Sequence, residues 1–238
     1  MIETARLVPG SLTPIGDGVN DADRCVLELP DGRRRAAILK RIARPAVLAE
    51  AFSALLLRSW GLSVPDPYLV EDGDQLHFAS ADATYPSLKQ RMGLKHLPNG
   101  SMKDALETAA CQIVASLRET PLATVADEAI DNRDRNLGNV LWDGANVAWI
   151  DHELALGLAT HYPDINKLAI MAQRAGQTDK MRQSTVALWM SLDRQAPEYA
   201  GLEASTPHYA QQVADRLTVL GTRLLARFPA PKDLLSEP

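Results

Sequence analysis

A change of hydrophobic period part-way along the chain constrains the fold more than any other feature. Over the first eighty residues the apolar positions fall in short runs separated by turn-formers. Ala5 to Val8, Cys25 to Leu29 and Arg35 to Ile42 read as strands, with Pro30-Asp31-Gly32 turning between the last two. Tyr68 to Val70 and Gln75 to Ala79 read as a hairpin around Asp72-Gly73. One helix interrupts them. Pro45 suits its first turn, and Val47, Leu48, Ala51, Phe52, Leu55 and Leu56 recur at helical spacing. Trp60-Gly61 ends it, ahead of Pro65 and Pro67. Ser101 is read as the N-cap of a helix through Leu117, with Leu106, Ala110, Ile113 and Val114 on its apolar side. From Pro163 the pattern is helical, most clearly after Thr206-Pro207, where Val213, Leu217, Leu220 and Leu224 face inward. Strands first and helices later predict an α+β chain of two lobes. Residues 1–80 form a small β-rich N-terminal lobe, residues 81–238 a larger, mostly helical one, and a cleft opens at Ala79 to Pro86.

Bulk properties remove several function classes. The net charge of -5 supplies no general basic field, so direct nucleic-acid binding is not expected. The longest apolar stretch, Ala46 to Leu57, is broken by Glu50 and is too short to span a membrane. Cys25 and Cys111 lie far apart and no signal peptide is legible, which predicts a reduced, cytoplasmic setting and core cysteines. His77, His96, His152, His161 and His208 have no zinc spacing. Neither Gly-x-x-x-x-Gly-Lys-Ser/Thr nor Gly-x-Gly-x-x-Gly occurs, so the chain carries no P-loop and no standard protein-kinase glycine loop.

Chemistry concentrates between Asp131 and Asp151. The run Asp131-Asn132-Arg133-Asp134-Arg135-Asn136-Leu137-Gly138-Asn139 is polar and enters a β-prone stretch, Val140 to Trp142. Asp143-Gly144-Ala145-Asn146 is a turn, and Val147 to Ile150 can pair back. Pairing Trp142 with Val147 carries the register to Val140 with Trp149, and makes Trp142 and Trp149 packing partners. Asn139 and Asp151 then sit at the open end of one hairpin. Strands lie about 4.8 Å apart, so two oxygen-bearing side chains there can share one Mg²⁺ with ligand distances of about 2.1 Å. Asp134, in the incoming loop, reaches the same mouth. A metal that bridges phosphates beside a carboxylate that takes a hydroxyl proton is what phosphoryl transfer requires.

Asp134-Arg135-Asn136-Leu137-Gly138-Asn139 resembles the Asp-x-x-x-x-Asn catalytic loop of kinase-like phosphotransferases, and Ile150-Asp151 resembles their metal-binding Asp after a short hairpin. The resemblance is nearest to HipA-like bacterial kinases and extends to type II phosphatidylinositol 4-kinases and aminoglycoside phosphotransferases. It implies Asp134 as catalytic base, and Asn139 and Asp151 as Mg²⁺ ligands. The chain also departs from these patterns. Asn136 stands where HipA-like kinases often have His, Asn132 where aminoglycoside phosphotransferases usually have His, and His152-Glu153 where protein kinases have Phe-Gly.

For ATP, such a fold needs a strand lysine paired with a helix carboxylate. Ala37-Ile38-Leu39-Lys40 supplies Lys40, with Ile38 on the same face to cover the adenine. Glu50 is its partner, a carboxylate inside an apolar stripe that burial alone would penalise. Taken by themselves, Lys40 also fits a surface lysine in a basic run and Glu50 an exposed residue at the stripe's edge. The loop Pro9 to Asn20, with Gly16 and Gly18, sits where backbone amides could cradle phosphate. In HipA-like kinases the corresponding loop carries a regulatory serine, which implies phosphorylation at Ser11 or Thr13. The family resemblance covers roughly residues 8 to 157 and implies a serine/threonine protein kinase with a protein substrate, a toxin role and an antitoxin partner. A small-molecule or lipid kinase shares the same loop, metal and lysine. A binding module without catalysis conflicts with the joint presence of Lys40, Asp134, Asn139 and Asp151.

Overall fold

The computed structural model describes residues 2–15 and 22–228. Its N-terminal part is rich in strands: β1 (Glu3–Leu7), β2 (Thr13–Pro14), β3 (Ala22–Glu28), β4 (Arg34–Lys40), β5 (Pro67–Asp72) and β6 (Gln75–Ala81), with helix α1 (Arg44–Ser59) between β4 and β5. The sheet runs β1-β5-β6-β4-β3-β2, and β1 pairs a second time with β3. Strands β1, β5, β6, β4 and β3 therefore close into a small ring. The reason lies in the alternation along each strand. Ala5, Cys25, Leu27, Ala37, Leu39, Tyr68, Val70 and Ala79 all point inward and fill the ring with their own core.

Residues one position away point outward. Ile38 and Lys40 lie on that outer face, where Lys40 pairs in register with Phe78. Helix α1 covers it through Val47 and Ala51, which pack with Ile2 and Phe78. The opposite side of α1 contributes Phe52, Leu56 and Leu57 to the largest core of the protein. Buried on two sides, α1 is apolar nearly all round. Trp60 donates its indole N–H to the Asp193 carbonyl at 2.9 Å, and the Tyr209 hydroxyl donates to the Pro45 carbonyl at 3.3 Å.

The C-terminal part is helical: α2 (Leu88–Arg91), α3 (Ser101–Ser116), α4 (Thr120–Ala129), then the hairpin β7 (Val140–Trp142) and β8 (Val147–Trp149), then α5 (Lys167–Arg174), α6 (Thr178–Met190), α7 (Ala196–Glu203) and α8 (Pro207–Ala226). Two expectations need correction. Gly100, not Ser101, holds the N-cap of α3, because φ 151° there is open to glycine and not to residues with a Cβ. Helix α4, opened by Thr120-Pro121, is not delimited in the sequence reading, although Leu122, Val125, Ala126 and Ala129 recur at helical spacing; its polar side, Thr124, Asp127 and Glu128, is buried as well. The hairpin register agrees with expectation, Trp142 opposite Val147 and Val140 opposite Trp149. The two tryptophans lie diagonally, and each ring carries an arginine, Arg91 at 5.0 Å from Trp142 and Arg135 at 5.6 Å from Trp149. Cys25 and Cys111 are buried and unbridged. Among the described residues no helix is long and apolar enough to cross a membrane.

Candidate active site

Lys40 ends β4 and reaches three carboxylates from two distant segments. Its Nζ lies 2.5 Å from Glu50 Oε1, 2.6 Å from Asp151 Oδ1 and 3.4 Å from Glu153 Oε2. Burial alone would push the lysine's pKa down, but Glu50, Asp151 and Glu153 outweigh it and the net shift is upward. Burial pushes Glu50 up in turn, and Lys40 with His152 outweighs that, so its carboxyl is held well below the usual range. Glu50 is 2% exposed, which excludes the alternative of a solvent-facing glutamate at the edge of the stripe. Its second oxygen accepts the His152 backbone N–H at 3.0 Å, with His152 Nδ1 3.4 Å away. One buried carboxylate thus orders both the lysine and the backbone just after Asp151. Asp151 itself sits at φ 70°, a left-handed conformation that costs a non-glycine residue about 1–2 kcal/mol. Strain of this kind persists where surrounding contacts hold it, often at functional positions.

Glu50, Asp151 and Glu153 each offer one carboxylate oxygen, and these oxygens lie within 4.8 Å of one another. An all-oxygen set of this kind fits a hard dication such as Mg²⁺. In this structure Lys40 stands among them as the counter-charge. Glu153 was not singled out as a ligand from the sequence, where His152-Glu153 registered only as a departure from Phe-Gly. Burial pushes its carboxyl above the ordinary value, ahead of an opposing pull from Lys40.

Asn139 immediately precedes β7, and its carbonyl accepts the Ile150 N–H at 3.2 Å, so Asn139 and Asp151 share the open end of the hairpin. Asn139 Nδ2 donates to the Asp134 carbonyl at 3.1 Å, which ties the two ends of the loop together. Asn136 makes a similar brace. It donates to the Asp134 carbonyl at 3.1 Å and accepts the Gly138 N–H at 2.8 Å. The Asp134 N–H in turn donates to Asn132 Oδ1 at 3.2 Å. With its backbone held at both sides, Asp134 presents a part-exposed carboxylate whose Oδ1 lies 2.8 Å from Lys167 Nζ.

Below the loop lies an ion pair that sequence reasoning missed. Arg135 is fully buried and forks onto Asp127 of α4, Nε at 3.0 Å and Nη2 at 2.9 Å. Its remaining Nη1 donates to the carbonyls of Ile150 (2.6 Å) and Asn139 (3.2 Å). Asp127 also accepts Asn132 Nδ2 at 2.9 Å. Helix α4, the loop and both ends of the hairpin are therefore pinned to one guanidinium. Sequence alone offered no signal for it, since an arginine in a polar loop reads as exposed.

The structure thus gathers Lys40, Glu50 and Asp151 into one cluster and holds Asp134 and Asn139 in one loop beside it. Ile38 shares the outer face of β4 with Lys40 and is half-buried. Gly16 and Gly18 lie outside the described residues. Ser11 has its hydroxyl committed to a turn, donating to the Val8 carbonyl at 2.7 Å and accepting the Val26 N–H at 3.1 Å, whereas Thr13 is exposed.

No protein-family model matches the sequence. No curated protein matches it either. Solved structures do match in fold. The Helicobacter pylori proinflammatory kinase CtkA superposes with a TM-score of 0.51 at 14% identity, over 93% of this chain and 96% of that one. HipA of the Shewanella oneidensis MR-1 toxin–antitoxin system, in a complex with HipB and operator DNA, superposes with a TM-score of 0.52 at 13% identity. That alignment covers 92% of this chain and 66% of HipA. The chain therefore has the mixed α+β fold of HipA-like kinases, strand-rich first and helical after.

Proposed function

We propose that this chain is a MgATP-dependent phosphotransferase of the HipA-like kind that phosphorylates a serine or threonine hydroxyl on a protein. The observation that carries the reading is the meeting of Lys40, Glu50 and Asp151, three residues from distant segments, in one ion-paired cluster beside the Asp134–Asn139 loop. The fold shared with CtkA and HipA supports a kinase in general, and the protein acceptor is what the resemblance to HipA-like kinases implies. In this reading residues 1–80 and 81–238 act as two lobes with the nucleotide between them. Lys40 holds the phosphates and is itself held by Glu50. Ile38, on the same face, covers the adenine, and Gly16 and Gly18 belong to the phosphate-covering loop. Asn139 and Asp151, with Glu153 beside them, hold Mg²⁺, which when bound neutralises charge on the phosphates. Asp134 orients the acceptor hydroxyl and accepts its proton.

The HipA structure contains an antitoxin, HipB, and a toxin role with such a partner in the cytoplasm belongs to the same proposal. So does regulation by phosphate on the N-terminal loop, with Thr13 the freer hydroxyl. The test is a thermal shift with millimolar MgATP. A ligand at a hundred times its dissociation constant stabilises by about 2.7 kcal/mol, or about 5–11 °C for a chain this long. No shift, together with no transfer of label from ATP to any protein acceptor, overturns the reading.

A further inference from the structure

Lys167 is the first residue of α5, and its position breaks a local rule. A cation at a helix N-terminus opposes the helix dipole, and α5 has no acidic residue in its first turn to compensate. Departures of this sort collect where a side chain is held for a purpose other than stability. Here the ammonium lies 2.8 Å from Asp134 Oδ1 and 5.1 Å from the centre of the Tyr162 ring. Its place is fixed from behind. Asn166, 3% exposed, caps α5 by accepting from the Leu168 and Ala169 N–H groups, and donates Nδ2 to the Thr124 carbonyl at 3.0 Å. Thr124 belongs to α4, the helix whose Asp127 anchors the loop through Arg135. Lys167 and Asp134 are thus both referenced to one rigid element.

The loop's own side chains are otherwise occupied. Arg135 is turned inward to Asp127. Arg133 forks onto Asp131 and donates to the Tyr162 carbonyl. Asn136 is spent on backbone atoms. A cation between an anionic base and an anionic phosphoryl group stabilises the charge that develops there, and Lys167 is held against the carboxylate of Asp134.

We propose that Lys167 is a catalytic residue, the cation that meets the transferring phosphoryl group and holds Asp134 toward the acceptor. This rests on the phosphotransferase reading above. In the step, the acceptor oxygen forms a bond to the γ-phosphorus while the bond from that phosphorus to the β–γ bridging oxygen breaks and ADP departs. The hydroxyl proton passes to the Asp134 carboxylate. Lys167 keeps its proton throughout, and its ammonium bridges an equatorial γ-oxygen and Asp134.

The test uses the full chain and its K167Q and K167R variants, each titrated calorimetrically with MgATP and with MgADP. Lys167 reaches only the γ-phosphate, so K167Q should bind MgADP as the wild type does and lose about tenfold or more in MgATP affinity, the worth of one charge-assisted hydrogen bond. K167R keeps the charge and should keep the preference for MgATP, and it carries the test even if K167Q folds poorly. A merely structural role would lower both affinities together. Equal MgATP-to-MgADP ratios in the wild type and K167Q, or a ratio lost in K167R, overturn this proposal alone. No MgATP binding by the wild type overturns the phosphotransferase reading and this inference with it.

Discussion

Replacing Asp127 with alanine tests whether one buried ion pair organises the Asp134–Asn139 loop. The Asp127 and Arg135 side chains are each 1% exposed, and the pair is bidentate. D127A leaves the Arg135 guanidinium buried, still donating to the Ile150 and Asn139 carbonyls but with no counter-charge against its fork. It also removes the acceptor for Asn132 Nδ2. Breaking a buried pair from one side costs about 3–5 kcal/mol. For a chain of this length each kcal/mol moves the thermal midpoint by about 2–4 °C, so a fall of about 6–20 °C is expected. The double variant D127L/R135M removes both charges and should recover much of the loss, because two matched apolar side chains leave nothing unpaired. Its loop would lose the guanidinium link to Ile150 and Asn139, so stability should return without MgATP binding or turnover. Scanning calorimetry on the wild type, D127A and D127L/R135M, with MgATP titration of each stable form, makes the comparison. A shift below about 2 °C in D127A would refute the claim that Arg135 depends on Asp127.

Three further outcomes are expected. Asp151→Asn should lower both MgATP affinity and turnover, whereas Asp134→Asn should bind MgATP nearly normally and lose about 10²- to 10⁴-fold in rate; calorimetric titration beside single-turnover transfer separates them, and near wild-type transfer by Asp134→Asn would sink the base assignment. Burial pushes the Glu128 carboxyl up, but Arg227 and Arg223 outweigh it and hold the pKa below its ordinary 4.5. Its contribution to stability is therefore complete above pH 4.5 and lost as pH falls below it, so E128Q should flatten the acid limb of midpoint against pH, and parallel curves for E128Q and the wild type would count against the network. A Cβ on Gly221 would stand 2.5 Å from the Trp189 ring, so G221A should destabilise by about 1–3 kcal/mol in urea denaturation, with an unchanged midpoint as the contrary result.

Most of the strands and helices were legible because their periods are local. The hairpin register follows from turn chemistry and alternation alone, which places Asn139 and Asp151 at one open end. Lys40 and Glu50 were legible as a pair for a similar reason. One sits in step with Ile38 on its strand, and the other interrupts an apolar helix face that would not tolerate it unpaired.

What sequence could not supply depended on the environment each residue acquires when distant segments meet. Helix α4 carries a stripe at Leu122, Val125, Ala126 and Ala129, but its polar side, with Asp127 and Glu128, is buried too, and only the tertiary structure decides that. Arg135 has the composition of a surface residue, and only the arrival of Asp127 beneath the loop makes it a fully buried anchor. Glu153 became the third carboxylate around Lys40 because Asp151 adopts a left-handed backbone held by Glu50, a turn that no alternation rule predicts. Lys167 lies 33 residues beyond Asp134, and its ammonium reaches that carboxylate because Asn166 fastens α5 to α4. Period, propensity and turn chemistry are properties of neighbours in the chain, and they determined the elements and one end of the site. Charge pairing and desolvation are properties of neighbours in space, and only the tertiary structure decided those.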